Sequence, residues 1–168
     1  LRLIAAVPPS SSYELAANPK TDIKATVALA PELDFTYFFS KNFAAELILG
    51  TTKHKIQSKT ASATDDLGTV WLLPPTLNLQ YHIPMKSVTP YFGAGINYTI
   101  FYGAKDDALE LSYKNKVGFS TQIGCDFNVS DKWFINLDIK KIFLKTDVAV
   151  ANPALKLEGV KINPFIFG

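Results

Sequence analysis

The chain has 168 residues and a formal net charge of +2, which fits one domain and offers no charge excess for nucleic acid or an acidic polymer. No apolar stretch approaches the roughly 18 to 20 residues of a transmembrane helix, so a helical membrane protein is excluded. A lone cysteine, Cys125, allows neither an internal disulfide nor a thiolate metal site, and any secretory leader is expected to be already removed or to lie outside a sequence that begins at Leu1.

Leu1 to Val7 is a short candidate strand. From Ile23 to Phe39 every odd position is apolar (Ile23, Ala25, Val27, Leu29, Pro31, Leu33, Phe35, Tyr37, Phe39), while Lys24, Thr26, Glu32, Asp34 and Thr36 fall on even ones. A period of two describes a β-strand with one apolar and one largely polar face. This one far exceeds the about five or six residues usual in soluble domains, so something as tall as a bilayer must cover it. Phe43, Ala45, Leu47 and Leu49 then oppose Ala44, Glu46 and Ile48. Trp71, Leu73, Pro75, Leu77, Leu79, Tyr81 and Ile83 oppose Thr76, Asn78, Gln80 and His82. Phe92, Ala94, Ile96, Tyr98 and Ile100 oppose Gly93, Gly95, Asn97 and Thr99. Val117 to Phe127 and Trp133 to Ile139 repeat the pattern, and Lys156 to Gly168 ends it. Eight strands are expected.

The links alternate in length. Ser40-Lys41-Asn42, Pro84 to Val88 and Ser130-Asp131-Lys132 are tight turns; Pro8 to Asp22, Lys53 to Gly68, Gly103 to Lys116 and Ala149 to Leu155 are long. In an up-and-down meander alternate links lie at opposite ends, which is the pattern of outer-membrane barrels with short periplasmic turns and long extracellular loops. The expectation is all-β: an eight-stranded antiparallel up-and-down transmembrane β-barrel, one domain over residues 1–168. A soluble lipocalin-like barrel is disfavoured, because its cavity has no room for so many apolar side chains.

Closure is obligatory in hydrocarbon, and the faces sort by chemistry. Glu32, Asp34, Glu46, His82, Asp126, Asp138, Lys140 and Lys24 belong inside, as a polar network. Tyr37, Phe39, Phe43, Tyr81, Tyr91 and Trp133 form an aromatic girdle by the short turns, and Trp71, Tyr98 and Tyr102 one by the loops. Lys140-Lys141 breaks the alternation: either Lys141 faces outward and reaches anionic headgroups, the reading favoured here, or strand seven bulges. Gly93, Gly95, Gly118 and Gly124 make room for larger interior neighbours. A short helix is expected within Ala104 to Lys116, and a polar mobile loop over residues 58–66.

Several blocks resemble the outer-membrane protein W (OmpW) family of Gram-negative bacteria. They are Leu67-Gly68-Thr69-Val70-Trp71-Leu72-Leu73-Pro74-Pro75-Thr76-Leu77-Asn78-Leu79-Gln80-Tyr81-His82, then Thr89 to Thr99, Asp138-Ile139-Lys140-Lys141, Lys145-Thr146-Asp147 and Lys161-Ile162-Asn163-Pro164-Phe165. The resemblance implies a bacterial outer-membrane channel that passes small hydrophobic molecules, with a sideways exit into the membrane where prolines interrupt the wall. By resemblance Pro74 and Pro75 form that exit. It also implies residues before Leu1 and after Gly168, so the first and last strands are expected to be cut short at the periplasmic end.

Proline donates no hydrogen bond and is excluded from central strands, so Pro74-Pro75 reads as a lateral opening or as a mere kink. Ile48, Leu72, Phe38, Phe101 and Phe165, with Pro74 and Phe134, are apolar residues expected to face inward. They either line a hydrophobic constriction or plug the lumen as a packed core. Asp34, Glu46, His82 and Asp138 include an acid–base vocabulary, but they lie toward the short turns and read as a satisfied ion network rather than a catalytic site. No catalytic residue, metal site or cofactor is expected; His54 reads as loop surface. The partners expected are the bilayer, lipopolysaccharide and small hydrophobic solutes, with the protein a monomer. The alternative is a structural, adhesive or receptor-type barrel with a sealed lumen.

Overall fold

Each alternating run becomes a strand of one antiparallel sheet. We number them β1 (Arg2–Val7), β2 (Asp22–Ala25 and Ala28–Phe38), β3 (Phe43–Gly50 and Thr52–Lys59), β4 (Thr64–Leu73 and Thr76–His82), β5 (Val88–Lys105), β6 (Leu111–Tyr113 and Lys116–Ser130), β7 (Trp133–Val150) and β8 (Lys156–Ile162 and Phe165–Phe167). A short segment, Ser11–Ser12, pairs with the start of β2. The computed structural model describes residues 1–8, 11–12, 22–59, 64–105, 111–113, 115–130, 132–150 and 156–168. Successive strands pair in order, and β8 pairs with β1 through Ala5↔Phe167, Ala6↔Ile166 and Val7↔Phe165. The sheet is therefore a closed eight-stranded up-and-down barrel, which leaves no edge with unpaired backbone groups in lipid.

The register fixes the barrel's shape. A pairing path leaves β2 at Phe38 and runs through Ala44, Gln80, Gly93, Gln122, Lys140, Ile166 and Ala6. It returns to β2 at Ala28, a stagger of ten residues, from 38 back to 28. Such a stagger belongs with strands tilted by about 35–45°. Because the path moves straight across the pleat, all its members share the inward face. The opposite face is apolar and exposed: Leu29, Phe35, Leu79, Ile96, Phe119, Ile123 and Leu137 all lie on it. β5 and β7 each run for 18 residues, more than the roughly 9 to 11 that cross a bilayer, so they stand above it on the long-loop side.

The outward aromatics fall into the two expected rows. By the short turns Phe39 stacks on Phe43, Phe43 meets Tyr81 edge-on at 5.0 Å, and Tyr81 touches Phe92; on the loop side Trp71 stacks on Tyr102. Tyr91 is the exception. It sits on the inward face of β5, buried against the His82 ring at 4.8 Å and over Gly124. Two loop expectations also change. β5 continues through Ala104 and Lys105, and Leu111–Tyr113 pairs with Val148 to Val150, so the described part of the Ala104 to Lys116 stretch is strand, not helix. Across residues 58–66, Lys59 pairs with Thr64, extending the β3–β4 hairpin; residues 60–63 lie outside the described ones.

Strand β7 passes Lys140-Lys141 without a bulge, since Gln122↔Lys140 and Thr121↔Lys141 are consecutive pairs. Lys141 does face outward, but it reaches a neighbouring strand rather than headgroups. Its Nζ donates to the Asn163 carbonyl at 2.8 Å and lies 3.6 Å from the Phe165 ring centroid. The lipid face should resist charge in proportion to depth: Ile96→Arg, in mid-β5, is expected to cost about 2–4 kcal/mol, and Val129→Arg near the rim about 0–1. Equilibrium unfolding in lipid vesicles measures the difference.

Candidate functional site

The lumen has two layers, and the short-turn half is polar. Arg2, on the inward face of β1, is its hub: the guanidinium donates to Asp138 at 2.8 Å and Glu46 at 2.9 Å, and lies 3.2 Å from Asp34. Lys140 Nζ holds Glu32 and stands 3.5 Å from Asp138. Amides join the charges. Gln122 Nε2 donates to Glu46 at 2.9 Å and Asp138 at 2.6 Å, Gln80 Nε2 to Glu46 at 2.7 Å, and Asn78 Nδ2 to Gln122 at 2.8 Å. Ser120 completes the lattice by donating to Asn78. Gln80, Gln122, Glu46, Asn78 and Ser120 are all below 2% exposure, so this half of the barrel is packed shut.

Four carboxylates (Glu32, Asp34, Glu46, Asp138) face two cations here, and Asp34 Oδ1 and Asp138 Oδ1 are buried without a hydrogen bond. Nearer the turns, His82 Nε2 pairs with Gln80 Oε1 at 3.0 Å, with Asp126 3.9 Å from its Nδ1. Asn136 bridges Asp126 and the Tyr91 hydroxyl. These groups hold one another, with no nucleophile and base set facing a shared space. Among the described residues no cluster of three or more His, Cys, Asp or Glu is arranged to hold a metal ion.

One turn of pleat toward the loops the chemistry reverses. Ile4, Ala6, Ala30, Ile142, Leu144 and Ile166 form a buried apolar cluster, and Phe101 packs against it. The order is the same along each strand that contributes: Arg2 then Ile4 on β1, Glu32 then Ala30 on β2, Lys140 then Ile142 on β7. On the β1, β2, β7 and β8 side a packed apolar layer thus lies above the polar network. On β3 and β5 the inward positions on the loop side, Thr52, His54, Asn97 and Thr99, stay polar.

The wall is weakest at Pro74-Pro75, where β4 breaks. The registers on both sides are continuous: Ile48↔Thr76 and Thr52↔Leu72 against β3, Thr76↔Asn97 and Leu73↔Ile100 against β5. The prolines therefore add no bulge; they remove rungs. The β5 side is stitched by Tyr98 N–H to the Pro75 carbonyl at 2.9 Å and by Asn97 Nδ2, which reaches Pro74 O at 3.2 Å and Thr76 Oγ1 at 2.8 Å. On the β3 side Thr51 Oγ1 bonds Leu72 O at 3.3 Å and meets the Tyr102 hydroxyl of β5 at 2.5 Å. Outside that seam an apolar groove of about 300 Å³ runs between β2 and β3, lined by Pro31, Glu32, Leu33, Leu49, Gly50 and Leu73.

The structure brings Glu32, Asp34, Glu46, Asp138 and Lys140 into one network, with His82 and Asp126 beside it. Ile48 is buried at the inner edge of the seam, and Leu72 lies across from Phe101. Two constriction residues are elsewhere. Phe165 faces outward, 45% exposed under Lys141, because Asn163-Pro164 interrupts β8 and the inward place goes to Ile166. Phe38 has the inward parity but sits at the short-turn rim against His82, as Phe134 does on β7, both over half exposed. Lys24's side chain lies outside the described residues. His54 is buried rather than surface, bonded to the Thr26 carbonyl at 2.8 Å and to Thr52. Sequence reasoning missed Arg2, Gln80 and Gln122 as network members; their inward parity was the available signal.

Comparison with known proteins agrees with this architecture. The sequence model of the OmpW family matches residues 2–168. The chain is 44% identical over 155 residues to the "Uncharacterized outer-membrane protein y4mB" of Sinorhizobium fredii, covering 89% of this chain and 67% of the relative. It is 33% identical to Outer membrane protein W of Escherichia coli, covering 80% and 68%. Its fold is similar to that of the outer membrane protein OprG from Pseudomonas aeruginosa, with a TM-score of 0.81, 23% identity, and coverage of 98% of this chain and 88% of that one.

Proposed function

Because the chain belongs to the OmpW family of Gram-negative outer-membrane β-barrels, we propose that it lets small hydrophobic molecules enter from the loop side and leave sideways into the bilayer beside Pro74 and Pro75. Residues 1–168 act as the single barrel domain of that channel, in the bacterial outer membrane. One observation supports the reading: a packed layer of apolar side chains lies above a layer of fully buried polar ones, so a solute that parts the apolar side chains has no aqueous way down. A solute without hydrogen bonds to offer gains nothing from the ion network and would have to break it to pass. The nearest break in the wall is the β3–β4 seam.

The route runs past Phe101, then between Leu72 and Ile48, and out where Pro74 and Pro75 leave the ladder open. No covalent chemistry is involved, and the gradient alone drives it. Outside, Lys53 lies over Trp71 at 5.5 Å, an arrangement suited to the phosphates of lipopolysaccharide. The closed ring supports a monomer, since no strand edge needs a partner.

Pro74→Ala/Pro75→Ala restores one donor facing β3 across the seam, at position 74, and one facing β5, at position 75. Uptake of a hydrophobic solute into liposomes is expected to fall by about tenfold, which is about 1.4 kcal/mol on the crossing barrier; unchanged uptake overturns lateral release. The packed floor also favours a second reading, a sealed structural or receptor barrel. Wild-type vesicles that take up no more solute than protein-free ones would favour it.

A further inference from the structure

The geometry points to Gly50 as the residue that sets the size limit of the side exit, an inference that rests on the lateral-release reading. The seam's two flanks are unequal. Asn97 and Tyr98 tie Pro74-Pro75 to β5, so opening falls to the β3 side, and the continuous register sets Gly50 directly opposite Pro74. There the lining of the outer groove includes Gly50 and Glu32, a lumen residue 2% exposed that pairs with Gly50 across β2 and β3. The wall between groove and lumen is one residue thick at this point, and that residue has no side chain.

Gly50 is not glycine for the backbone's sake. Its φ is not in the left-handed region, and an added Cβ would make only ordinary contacts, 3.7 Å from Glu32 Cβ and Cγ and from the Pro31 carbonyl. Gly118 differs: a Cβ there would stand 2.5 Å from the Phe143 carbonyl. What Gly50 supplies is empty space. Each carbon added to it projects inward beside Ile48, toward Glu32, and narrows the place where the seam would open.

The test is a series, Gly50→Ala, Gly50→Val and Gly50→Leu, in the full chain in liposomes, assayed with a homologous set of hydrophobic solutes of increasing bulk. Barrel formation is checked by β-sheet circular dichroism and heat-modifiable gel mobility. Uptake of the bulkiest solute should fall stepwise to at least about tenfold lower in Gly50→Leu, about 1.4 kcal/mol, while the smallest is the least affected. If Gly50→Leu does not fold, Gly50→Cys in a Cys125→Ser background, folded first and then converted to mixed disulfides by alkyl methanethiosulfonates of increasing chain length with release of methanesulfinate, gives the same series, and reduction should restore uptake. Folded Gly50→Leu or disulfide-modified Gly50→Cys with unchanged uptake, alongside a Pro74→Ala/Pro75→Ala variant that loses it, overturns the role of Gly50 alone. No loss in either overturns lateral release itself.

Discussion

Arg2→Met is expected to destabilise the barrel by about 3–5 kcal/mol, the cost of removing one partner from a buried ion network. The side chain answers Asp138, Glu46 and Asp34 at 2.8 to 3.2 Å. Without it Lys140 alone faces four carboxylates, and Gln122, which donates to both Glu46 and Asp138, loses the charges that fix it. Packing is not the reason, because methionine fills much of the same volume. The control is Arg2→Met with Glu46→Gln and Asp34→Asn, which removes two carboxylate charges along with the cation, leaves Lys140 facing two carboxylates, and should recover much of the loss. Urea unfolding in vesicles measures both. A loss under about 1 kcal/mol, the range of exposed ion pairs, would mean that the network is hydrated rather than packed.

Gly95→Val should be as damaging, for a steric reason. Gly95 pairs with Asn78 across β4 and β5, and a Cβ there would run into the Leu77 carbonyl and come within 2.7 Å of Asn78 Cα. Backbone cannot yield as a side-chain tip can, so the ladder must open beneath the most buried polar residues of the lumen. More than about 4 kcal/mol is expected, the range reserved for strain or broken buried networks. Gly50→Ala, in contrast, should leave stability unchanged or raise it by up to about 1 kcal/mol through the unfolded chain. Denaturant midpoints of the two variants separate a glycine kept for close approach from one kept for space.

The barrel was legible in the sequence because membrane strands repeat one rule, and parity alone assigned Glu32, Glu46, Asp138 and Lys140 to the lumen. It misled where residue type was allowed to outweigh parity. Tyr91 shares the odd face of Gly93 and Asn97, yet its ring suggested a girdle; an inward tyrosine is affordable because Gly124 lies opposite and Asn136 meets its hydroxyl. Phe165 was lost for a different reason, since the run after Asn163-Pro164 is too short to show its own alternation. The hub escaped notice because Arg2 stands in a short first strand, and nothing local ties it to residues far along the chain. The asymmetry of the proline seam was equally hidden. It depends on which neighbour supplies Asn97 and which supplies Gly50, a matter of pairing rather than of pattern.

The ion network also fixes an order of events in assembly. Its longest links join Arg2 to Asp138 and Glu32 to Lys140, 136 and 108 residues apart. Both need β7 to face the first two strands across the lumen. Such distant pairings are slow to find, and until they are found these carboxylates and cations must stay in contact with water. A sheet still open along one side is therefore expected to keep a wet trough on its inner face until the ring closes.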